Sequence, residues 1–314
     1  MSNVIALISS NPKLQMWKRQ IEMKSWKFRG LQNALPVTNC VDVGASYYPH
    51  TSWWLFLGTT NSNWAAVEPN EKNLTYMQHW PWKAKNRAVV IGLSELGGKQ
   101  VLNLTNVDSG SSLLEPVIPA SMKHRLGAAG ESYFFPVTKV DIDTRTLHSV
   151  ITEMGDYPTV VKLDTQGSEL SILKSAVNES TTAGIVGIEI ECSLLSDPLY
   201  KDSPRLWEVA LYLEKFGFEL IGLDVFPRRS TSKKISSSPK QLVNECDAIF
   251  ARRRDLILED SIESRAALLG FYVTNNFYQE ALLCLQPDAL LCEYLEGRGL
   301  RAETLLTTLQ RMNR

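Results

Sequence analysis

The stretch VTNCVDVGAS, residues 37–46, contains a short apolar run that is rich in β-branched residues and stops at Gly44. This pattern is typical of a strand that is buried on both faces and ends in a glycine turn. When a helix follows such a turn, backbone N–H groups are left open to an anionic or polar ligand. The stretch therefore predicts a buried strand of an α/β sheet with a ligand beside its carboxyl end.

Similar apolar runs alternate with helix-length segments along most of the chain. Because these strands are too apolar for one exposed face, they predict a parallel sheet covered on both sides. A Ser/Lys/Arg-rich loop without a helix joins the last two runs, which predicts that they are antiparallel. The further strands are Trp64–Val67, Arg87–Leu93, Val160–Leu163, Ile185–Ile190, Phe218–Val225 and Ala248–Arg252, and the clearest helices are Ser168–Ala176 and Arg205–Phe216.

Three parts of the chain fall outside this alternation. Residues 1–36 predict a helical lead-in that ends at Pro36, and residues 94–140 predict an inserted hairpin with loops. From residue 255 to residue 314 the chain is rich in Leu, Ala, Glu and Arg with helical apolar spacing. We therefore predict a central domain over residues 37–254 and a C-terminal helical appendage over residues 255–314. The appendage packs against the domain or forms a homodimer contact.

The composition excludes several classes of protein. The 314 residues include 44% hydrophobic and 21% charged side chains, and the formal net charge is −1. This excludes a disordered chain and gives no overall basic field for a nucleic acid. No stretch is apolar enough to predict a membrane span. The five cysteines are widely spaced without a C-x-x-C pair, which argues against disulfides or a metal site and favours a cytoplasmic location.

The residues after the glycine turn narrow the kind of ligand. A dinucleotide site needs further glycines so that the backbone can approach a pyrophosphate, whereas Ala45, Tyr47, Tyr48 and Pro49 follow Gly44 here. A smaller nucleoside that carries a carboxylate, such as S-adenosylmethionine, suits this turn better than NAD or FAD. A plain strand-to-helix turn without a ligand is the alternative.

A second signal is Glu68, which ends the next strand and precedes Pro69. An acid at this position can accept hydrogen bonds from both hydroxyl groups of a ribose. The alternative is a carboxylate that is favoured by the positive end of the following helix. The position directly after a strand favours the ribose interpretation.

The stretch VKLDTQGSELSILK, residues 161–174, places two carboxylates near one strand end. Asp164 ends a buried strand, Gly167 allows a tight turn and Glu169 begins the next helix. Carboxylates at the ligand-binding edge of an open sheet can orient an acceptor hydroxyl, take its proton or hold a cation. Helix capping explains Ser168 and Glu169 without catalysis and is the alternative.

This stretch resembles the signature of the FkbM family of S-adenosylmethionine-dependent methyltransferases, which runs Lys-hydrophobe-Asp-x-x-Gly-x-Glu-Leu. Ser46–Tyr48 depart from the Asn-hydrophobe-Gly of the family, and His148 and Gln166 stand where the family usually has acids. Other motifs resemble the family in the same order, from about residue 37 to residue 252, and they are Val41–Ala45, Val67–Asn70, Gly110–Leu113, Ile190–Glu191, Pro198–Tyr200, Phe216–Leu220 and Cys246–Phe250.

The resemblance implies a class I methyltransferase fold, which is a Rossmann-like, seven-stranded, mostly parallel sheet whose last strand is antiparallel. It also implies methyl transfer from S-adenosylmethionine to a hydroxyl oxygen of a sugar, a glycan or a natural-product-type acceptor. Two other functions stay open at this point. One is a non-catalytic binding protein that retains the fold, and the other is a methyltransferase that acts on nitrogen or on another small molecule.

Candidate site residues follow from these motifs. The proposed proton acceptor or acceptor-orienting group is Asp164, with Glu191 second and Glu169 third. Four cations between the last two strands predict an anionic acceptor such as a sugar phosphate or acidic glycan, with a solvated loop as the alternative; they are Arg228, Arg229, Lys233 and Lys234. The expected cofactor-binding residues are Asp42, Gly44, Ala45, Ser46, Glu68, Pro69, Leu93 and Ser94.

Overall fold

The structure is a computed structural model that describes residues 27–46, 51–75, 84–117, 134–195, 198–227 and 243–313. Most of the predicted lead-in lies outside these residues. The predicted anion-binding cations, Arg228, Arg229, Lys233 and Lys234, lie outside them as well. Their role therefore stays a prediction.

The described part of the chain contains ten strands, seven of which form the main sheet. The strands are β1 (Thr38–Val43), β2 (Ser62–Val67), β3 (Lys85–Val89), β4 (Gly92–Leu93), β5 (Gly98–Thr105), β6 (Pro136–Arg145), β7 (Thr159–Leu163), β8 (Ile185–Ser193), β9 (Phe218–Pro227) and β10 (Val243–Arg252). All residues of β1 and β7 are buried, which is why both are rich in apolar residues in the sequence, although they also bury Asp42 and Lys162.

The strand order in the main sheet is β3-β2-β1-β7-β8-β10-β9. Strand β10 runs antiparallel to both of its neighbours, and the pairs among β3, β2, β1, β7 and β8 are parallel. This confirms the seven-stranded, mostly parallel sheet with an antiparallel last strand. The order in which strands are added to the sheet reverses between β1 and β7. Because β1, β2, β7 and β8 are parallel, they all end at one edge, the usual ligand site of open α/β sheets.

The third predicted strand, Arg87–Leu93, is wrong in its bounds. The main-sheet strand β3 ends at Val89, and the N–H of Ile91 donates back to the Val89 carbonyl. This turn sends Gly92–Leu93 into a second sheet of order β4-β6-β5. In that sheet β5 and β6 pair antiparallel, which confirms the inserted hairpin.

Eleven helices are described. They are α1 (Arg29–Ala34), α2 (Trp54–Leu57), α3 (Glu71–Thr75), α4 (Leu147–Met154), α5 (Glu169–Lys174), α6 (Leu206–Lys215), α7 (Arg254–Ile257), α8 (Ile262–Thr274), α9 (Tyr278–Leu285), α10 (Ala289–Gly297) and α11 (Ala302–Met312). The helices predicted after β7 and before β9 are confirmed with slightly shorter ends. Helix α4 was not predicted, although Thr146 caps it by accepting a hydrogen bond from the Ser149 N–H.

Two different helical layers cover the faces of the main sheet. Helices α4, α5 and α6 cover one face, where Val150, Leu173 and Leu213 join a cluster with strand residues such as Val41 and Val161. The other face is covered by α1, α2 and the C-terminal helices α8–α11. The C-terminal helices are therefore part of the main hydrophobic core.

One close contact between the C-terminal helices and the sheet is at Gly187 of β8. A Cβ atom on this residue would lie 2.5 Å from ring atoms of Phe271, so the ring rests directly on the strand backbone. Phe271 is 2% exposed and belongs to one cluster with Cys40, Trp64 and Val160 of the sheet. These contacts show that the C-terminal helices pack against the sheet, while a homodimer contact stays a prediction.

No helix in the described ranges combines the length and the apolar character needed to cross a membrane.

Candidate active site

A cavity of about 380 Å3 opens at the carboxyl ends of β1, β2, β7 and β8. This volume is in the usual range for a cofactor or small-ligand site. Its wall combines residues that follow the strands, such as Gly44, Glu68 and Asp164, with residues of the β4–β6 sheet and of the segment after β5. The cavity therefore brings together three of the sequence motifs that lie far apart in the chain.

Gly44 forms the turn at the end of β1. Its φ is +78°, a left-handed conformation that other residues rarely adopt, and a Cβ atom would lie 1.9 Å from the backbone oxygen of Asp164. The turn after β1 and the turn after β7 thus touch each other through backbone atoms. Only glycine permits this approach, which explains the residue at this position.

The backbone N–H groups of this turn are not open to a ligand, contrary to the sequence prediction. The N–H groups of Gly44 and Ala45 both donate to the Val67 carbonyl, and that of Ser46 donates to the Gly44 carbonyl. The first two N–H groups are thus paired with β2, and the third is paired within the turn. At Gly44, Ala45 and Ser46, polar recognition would therefore come from a side chain.

Ser46 provides such a side chain. It lines the cavity, and its Oγ is buried without a hydrogen-bond partner among the described residues. A buried hydroxyl without a partner costs free energy, which a polar ligand in the cavity would recover. The residues present at this turn therefore fit a polar ligand group.

Glu68 lines the cavity at the end of β2 and is only 8% exposed. Its Oε1 accepts a hydrogen bond of 2.9 Å from the Asn70 N–H, and Asn73 donates to the same carboxyl group. Burial, together with the nearby Asp108, outweighs these bonds and raises the pKa of Glu68 to about 7. The group is a hydrogen-bond acceptor without a cationic partner in the part of the chain that the structure describes, as a ribose-binding acid would be.

Asp164 follows β7 and faces the same cavity. Its Oδ2 accepts a hydrogen bond of 2.9 Å from Lys162 Nζ, whose side chain is 7% exposed. Burial would raise the pKa of Asp164, but the Lys162 ammonium and the hydrogen bonds outweigh it and hold the pKa below its ordinary value. Asp164 is therefore an ionised carboxylate that remains about one-third exposed toward the cavity.

Lys162 was not identified from the sequence as a site residue. It lies within an otherwise apolar strand and is surrounded by acids, namely Asp42, Asp164, Glu189 and Asp247. Burial would lower the pKa of Lys162, but these acids raise it above the ordinary value. A cation inside a buried strand needs a partner, and that requirement was the available signal.

Glu191 of β8 lies on the far side of Asp164 and lines the cavity. Burial and the neighbouring Asp164 raise its pKa well above the ordinary value. Glu191 shares a hydrogen bond with Asp164, and its Oε2 accepts one of 2.7 Å from Gln166 Nε2. The pKa of Asp164 is thus lowered and that of Glu191 raised, which favours the charge on Asp164 and a proton on Glu191.

Glu169 has a different position. Its carboxylate accepts hydrogen bonds from the N–H groups of Thr165 and Gly167 at 2.7 and 2.9 Å, and it does not line the main cavity. Burial raises its pKa to about 7. Glu169 therefore holds the turn after Asp164 in place, while Ser168, the N-cap residue of α5, makes no side-chain capping bond.

The remaining predicted cofactor residues divide into two groups. Pro69 and Leu93 line the cavity. Asp42 lies below it and accepts a hydrogen bond from Trp53 Nε1, and Ala45 belongs to the core. Ser94 bonds Thr144 and the Gly97 N–H within the second sheet and does not line the cavity. Other lining residues were absent from the predicted set, among them Asn70, Ile91, Asp108, Ser112, Thr165 and Gln166.

The strand order, the cavity at the strand ends and the acid after β2 define a class I, S-adenosylmethionine-dependent methyltransferase. A family model described as the methyltransferase FkbM domain matches residues 42–220. The chain belongs to the FkbM methyltransferase family. No metal-binding group of three or more His, Cys, Asp or Glu side chains occurs among the described residues.

Comparison with solved structures finds other methyltransferases at low identity. An S-adenosylmethionine-dependent methyltransferase from Leishmania major is 10% identical, with 73% of each chain covered and a TM-score of 0.31. One from Anabaena variabilis is 9% identical, with 70% of this chain and 78% of that chain covered and a TM-score of 0.30. A 16S rRNA adenine-N1 methyltransferase from Catenulisporales acidiphilia is 11% identical, with coverage of 73% and 93% and a TM-score of 0.30.

A comparison with curated proteins finds no match. The family assignment therefore rests on the family model.

Proposed function

We propose that this methyltransferase transfers the methyl group of S-adenosylmethionine to a hydroxyl oxygen of a sugar, a glycan or a natural-product-type acceptor. The observation that carries the proposal is the Asp164 carboxylate, which lines the cavity beside Glu191 and is bonded by Lys162, whose ammonium lowers the pKa of Asp164. An alcohol must lose its proton during attack on a methyl group, and a carboxylate at this place can receive it.

The cofactor would be held by the residues that line the cavity around the ends of β1 and β2. Glu68 would accept the ribose hydroxyls, and the unpartnered Ser46 hydroxyl would bond a polar group of the ligand. Pro69 and Leu93 supply apolar wall. When bound, S-adenosylmethionine supplies an electrophilic methyl group on a sulfonium.

The chain's own residues supply orientation and a place for the proton. The acceptor hydroxyl would donate a hydrogen bond to Asp164, which aligns an oxygen lone pair for attack. As the oxygen–carbon bond forms and the carbon–sulfur bond breaks, the hydroxyl proton passes to Asp164. Lys162 keeps Asp164 ionised before the reaction.

The charges on the described wall favour an uncharged hydroxyl acceptor at the reacting position. Asp108 and Asp164 line the cavity together with Glu68 and Glu191, whose pKa values are raised, and Lys162, although adjacent, is already paired with Asp164. An anionic group bonded directly at this position would be repelled. The cations Arg228, Arg229, Lys233 and Lys234 remain a separate prediction for binding an anionic part of the acceptor.

The proposal is tested by incubating a cell extract and the enzyme with S-adenosylmethionine labelled with 13C in the methyl group. We expect a new methoxy signal in the 13C NMR spectrum of the products, and this signal should be absent with the Asp164→Asn variant. Label that enters only N-methyl groups, or an equal methoxy signal with the variant, would overturn the proposal.

A further inference from the structure

Gln166 occupies an unusual place between the two carboxyl groups. It follows Asp164 by two residues and has a φ of +60°, a left-handed conformation that is uncommon for a residue other than glycine. Strained backbone of this kind persists where surrounding contacts hold it. Gln166 lines both the main cavity and a neighbouring cavity of about 20 Å3 that also contacts Glu191 and Tyr200.

The side-chain amide of Gln166 contacts both members of the carboxyl pair. Its Nε2 lies 2.7 Å from Glu191 Oε2 and 3.3 Å from Asp164 Oδ1 and donates to both. One amide nitrogen carries two hydrogens, so it can serve both acceptors at once. The amide thus joins two strands, β7 and β8, through the groups at their ends.

Two further residues hold Gln166 from the opposite side. The Tyr200 hydroxyl lies 3.1 Å from Gln166 Oε1 and 2.7 Å from the Gly110 carbonyl. The Ser112 Oγ donates to the Gln166 backbone oxygen at 2.8 Å. Because the carboxyl oxygens of Glu191 and Asp164 accept, the amide presents its nitrogen to them and its Oε1 to Tyr200, whose single hydroxyl hydrogen is shared between Oε1 and the Gly110 carbonyl. The strained backbone and the side-chain orientation are therefore both fixed by contacts from elsewhere in the chain.

We propose that Gln166 is a positioning residue that sets the separation and the proton distribution of the Asp164–Glu191 pair. The proposal rests on the function proposed above, in which Asp164 receives the acceptor proton. An amide is suited to this task because it donates hydrogen bonds without adding charge. Hydrogen bonds to an ionised carboxylate favour the ionised form, so the amide keeps the charge on the pair.

The pair titrates among several other charged groups, so the contribution of Gln166 must be measured as a difference between variants. Lys162 lowers the pKa of Asp164, and the remaining groups near the pair are acids that oppose ionisation. These acids are Glu68, Glu169, Glu245 and Asp247. All of them stay in place when Gln166 is replaced.

The test compares Gln166→Met, which removes the amide at similar volume, with Gln166→Glu, which adds a third carboxyl group. With 13C-labelled Asp and Glu carboxyl groups, NMR titration follows the pair directly. We expect the apparent pKa of the pair to rise by about one unit in Gln166→Met and by more in Gln166→Glu. The pH at which turnover reaches half of its maximum should rise in the same order.

Controls separate positioning from general damage to the fold. Gln286→Met, at an exposed glutamine after α9, should leave the titration unchanged. If Gln166→Met fails to fold, Tyr200→Phe removes the contact to Oε1 and should raise the pKa of the pair by a smaller amount. Binding of S-adenosylhomocysteine should be unchanged in the Gln286→Met control and is measured in the Gln166 variants as well, because Gln166 lines the cavity.

Several results would overturn the inference. Equal titration midpoints in the wild type and both Gln166 variants would show that the amide does not control the pair. A loss of S-adenosylhomocysteine binding would place Gln166 in the cofactor site. The NMR titration needs no acceptor, so a shifted midpoint alongside methylation of nitrogen would contradict the proposed function and leave the control of the pair standing. An unshifted midpoint alongside methoxy products would contradict the control of the pair by Gln166 and leave the proposed function standing.

Discussion

Replacing Glu68 with Gln should weaken cofactor binding and at the same time stabilise the protein without cofactor. Glu68 is 8% exposed, and burial raises its pKa from 4.5 to about 7. At about 1.36 kcal/mol per pKa unit, this shift corresponds to an unfavourable contribution of about 3 kcal/mol. This unfavourable contribution accompanies a carboxylate that lines the cavity and can accept hydrogen bonds from two hydroxyl groups.

The sign of the effect depends on pH. Between pH 4.5 and about 7, the unfolded chain releases the proton of Glu68 while the folded protein retains it. Stability therefore falls as pH rises through this window, and the full cost is present above pH 7. The neutral amide removes the cost but loses an acceptor for Asn73, which offsets about 1 kcal/mol.

We therefore expect Glu68→Gln to raise the free energy of unfolding by about 1–2 kcal/mol at pH 8 and to raise it little at pH 5. Urea denaturation without cofactor measures this difference. Calorimetric titration with S-adenosylhomocysteine at pH 8 should show that the affinity falls by about tenfold or more, because a hydrogen-bonded charge is lost.

The matched control is Glu71→Gln, on the exposed surface of the next helix. It should change neither quantity. The reasoning would be refuted by a Glu68→Gln protein that binds S-adenosylhomocysteine as tightly as the wild type. It would also be refuted by a gain in stability that is equal at both pH values, because the linkage argument requires a difference.

Three further substitutions test other parts of the structure. Asp164→Asn should leave S-adenosylhomocysteine binding intact and lower turnover by about 10²- to 10⁴-fold, measured with labelled cofactor; near-normal turnover would remove Asp164 from the mechanism. Gly44→Ala places a methyl group 1.9 Å from the Asp164 carbonyl in a left-handed backbone, so calorimetry should detect no S-adenosylhomocysteine binding, whereas wild-type affinity would contradict the described turn. Gly187→Ala drives a methyl group into the Phe271 ring and should lower stability to urea by about 1–3 kcal/mol, while Gly297→Ala, which has open space, should change little; equal stabilities would contradict the described packing.

The main sheet could be predicted from the sequence because its central strands are buried on both faces. Val41–Val43 and Val160–Leu163 are mostly apolar for that reason, and parallel topology brings the carboxylates that follow β2 and β7 to one edge. Asp164 and Glu68 were therefore placed at the correct edge. The predicted ends of strands were less accurate where a single backbone turn ends the strand, as at Val89 at the end of β3.

The interactions of the site could not be predicted to the same extent, since they join residues that are distant in the chain. The contact between the Gly44 turn and the Asp164 carbonyl depends on the register of β1 and β7. The hydrogen bonds from the Gly44 and Ala45 N–H groups to the Val67 carbonyl likewise depend on strand pairing. The local sequence pattern had predicted that these N–H groups are available to a ligand. The bridge from Gln166 to Tyr200 spans 34 residues, and no local spacing announces it.

The C-terminal cover of the sheet has a consequence for biosynthesis. Trp54, Trp64 and Val160 are synthesised well before the helix residues Leu268 and Leu309 that share their cluster. At translation rates of about 5–20 residues per second, the ribosome needs roughly 12–50 s to travel from Trp64 to Leu309. During that interval the nascent chain carries an uncovered apolar face, so newly made copies should depend on chaperones until the final helix has emerged.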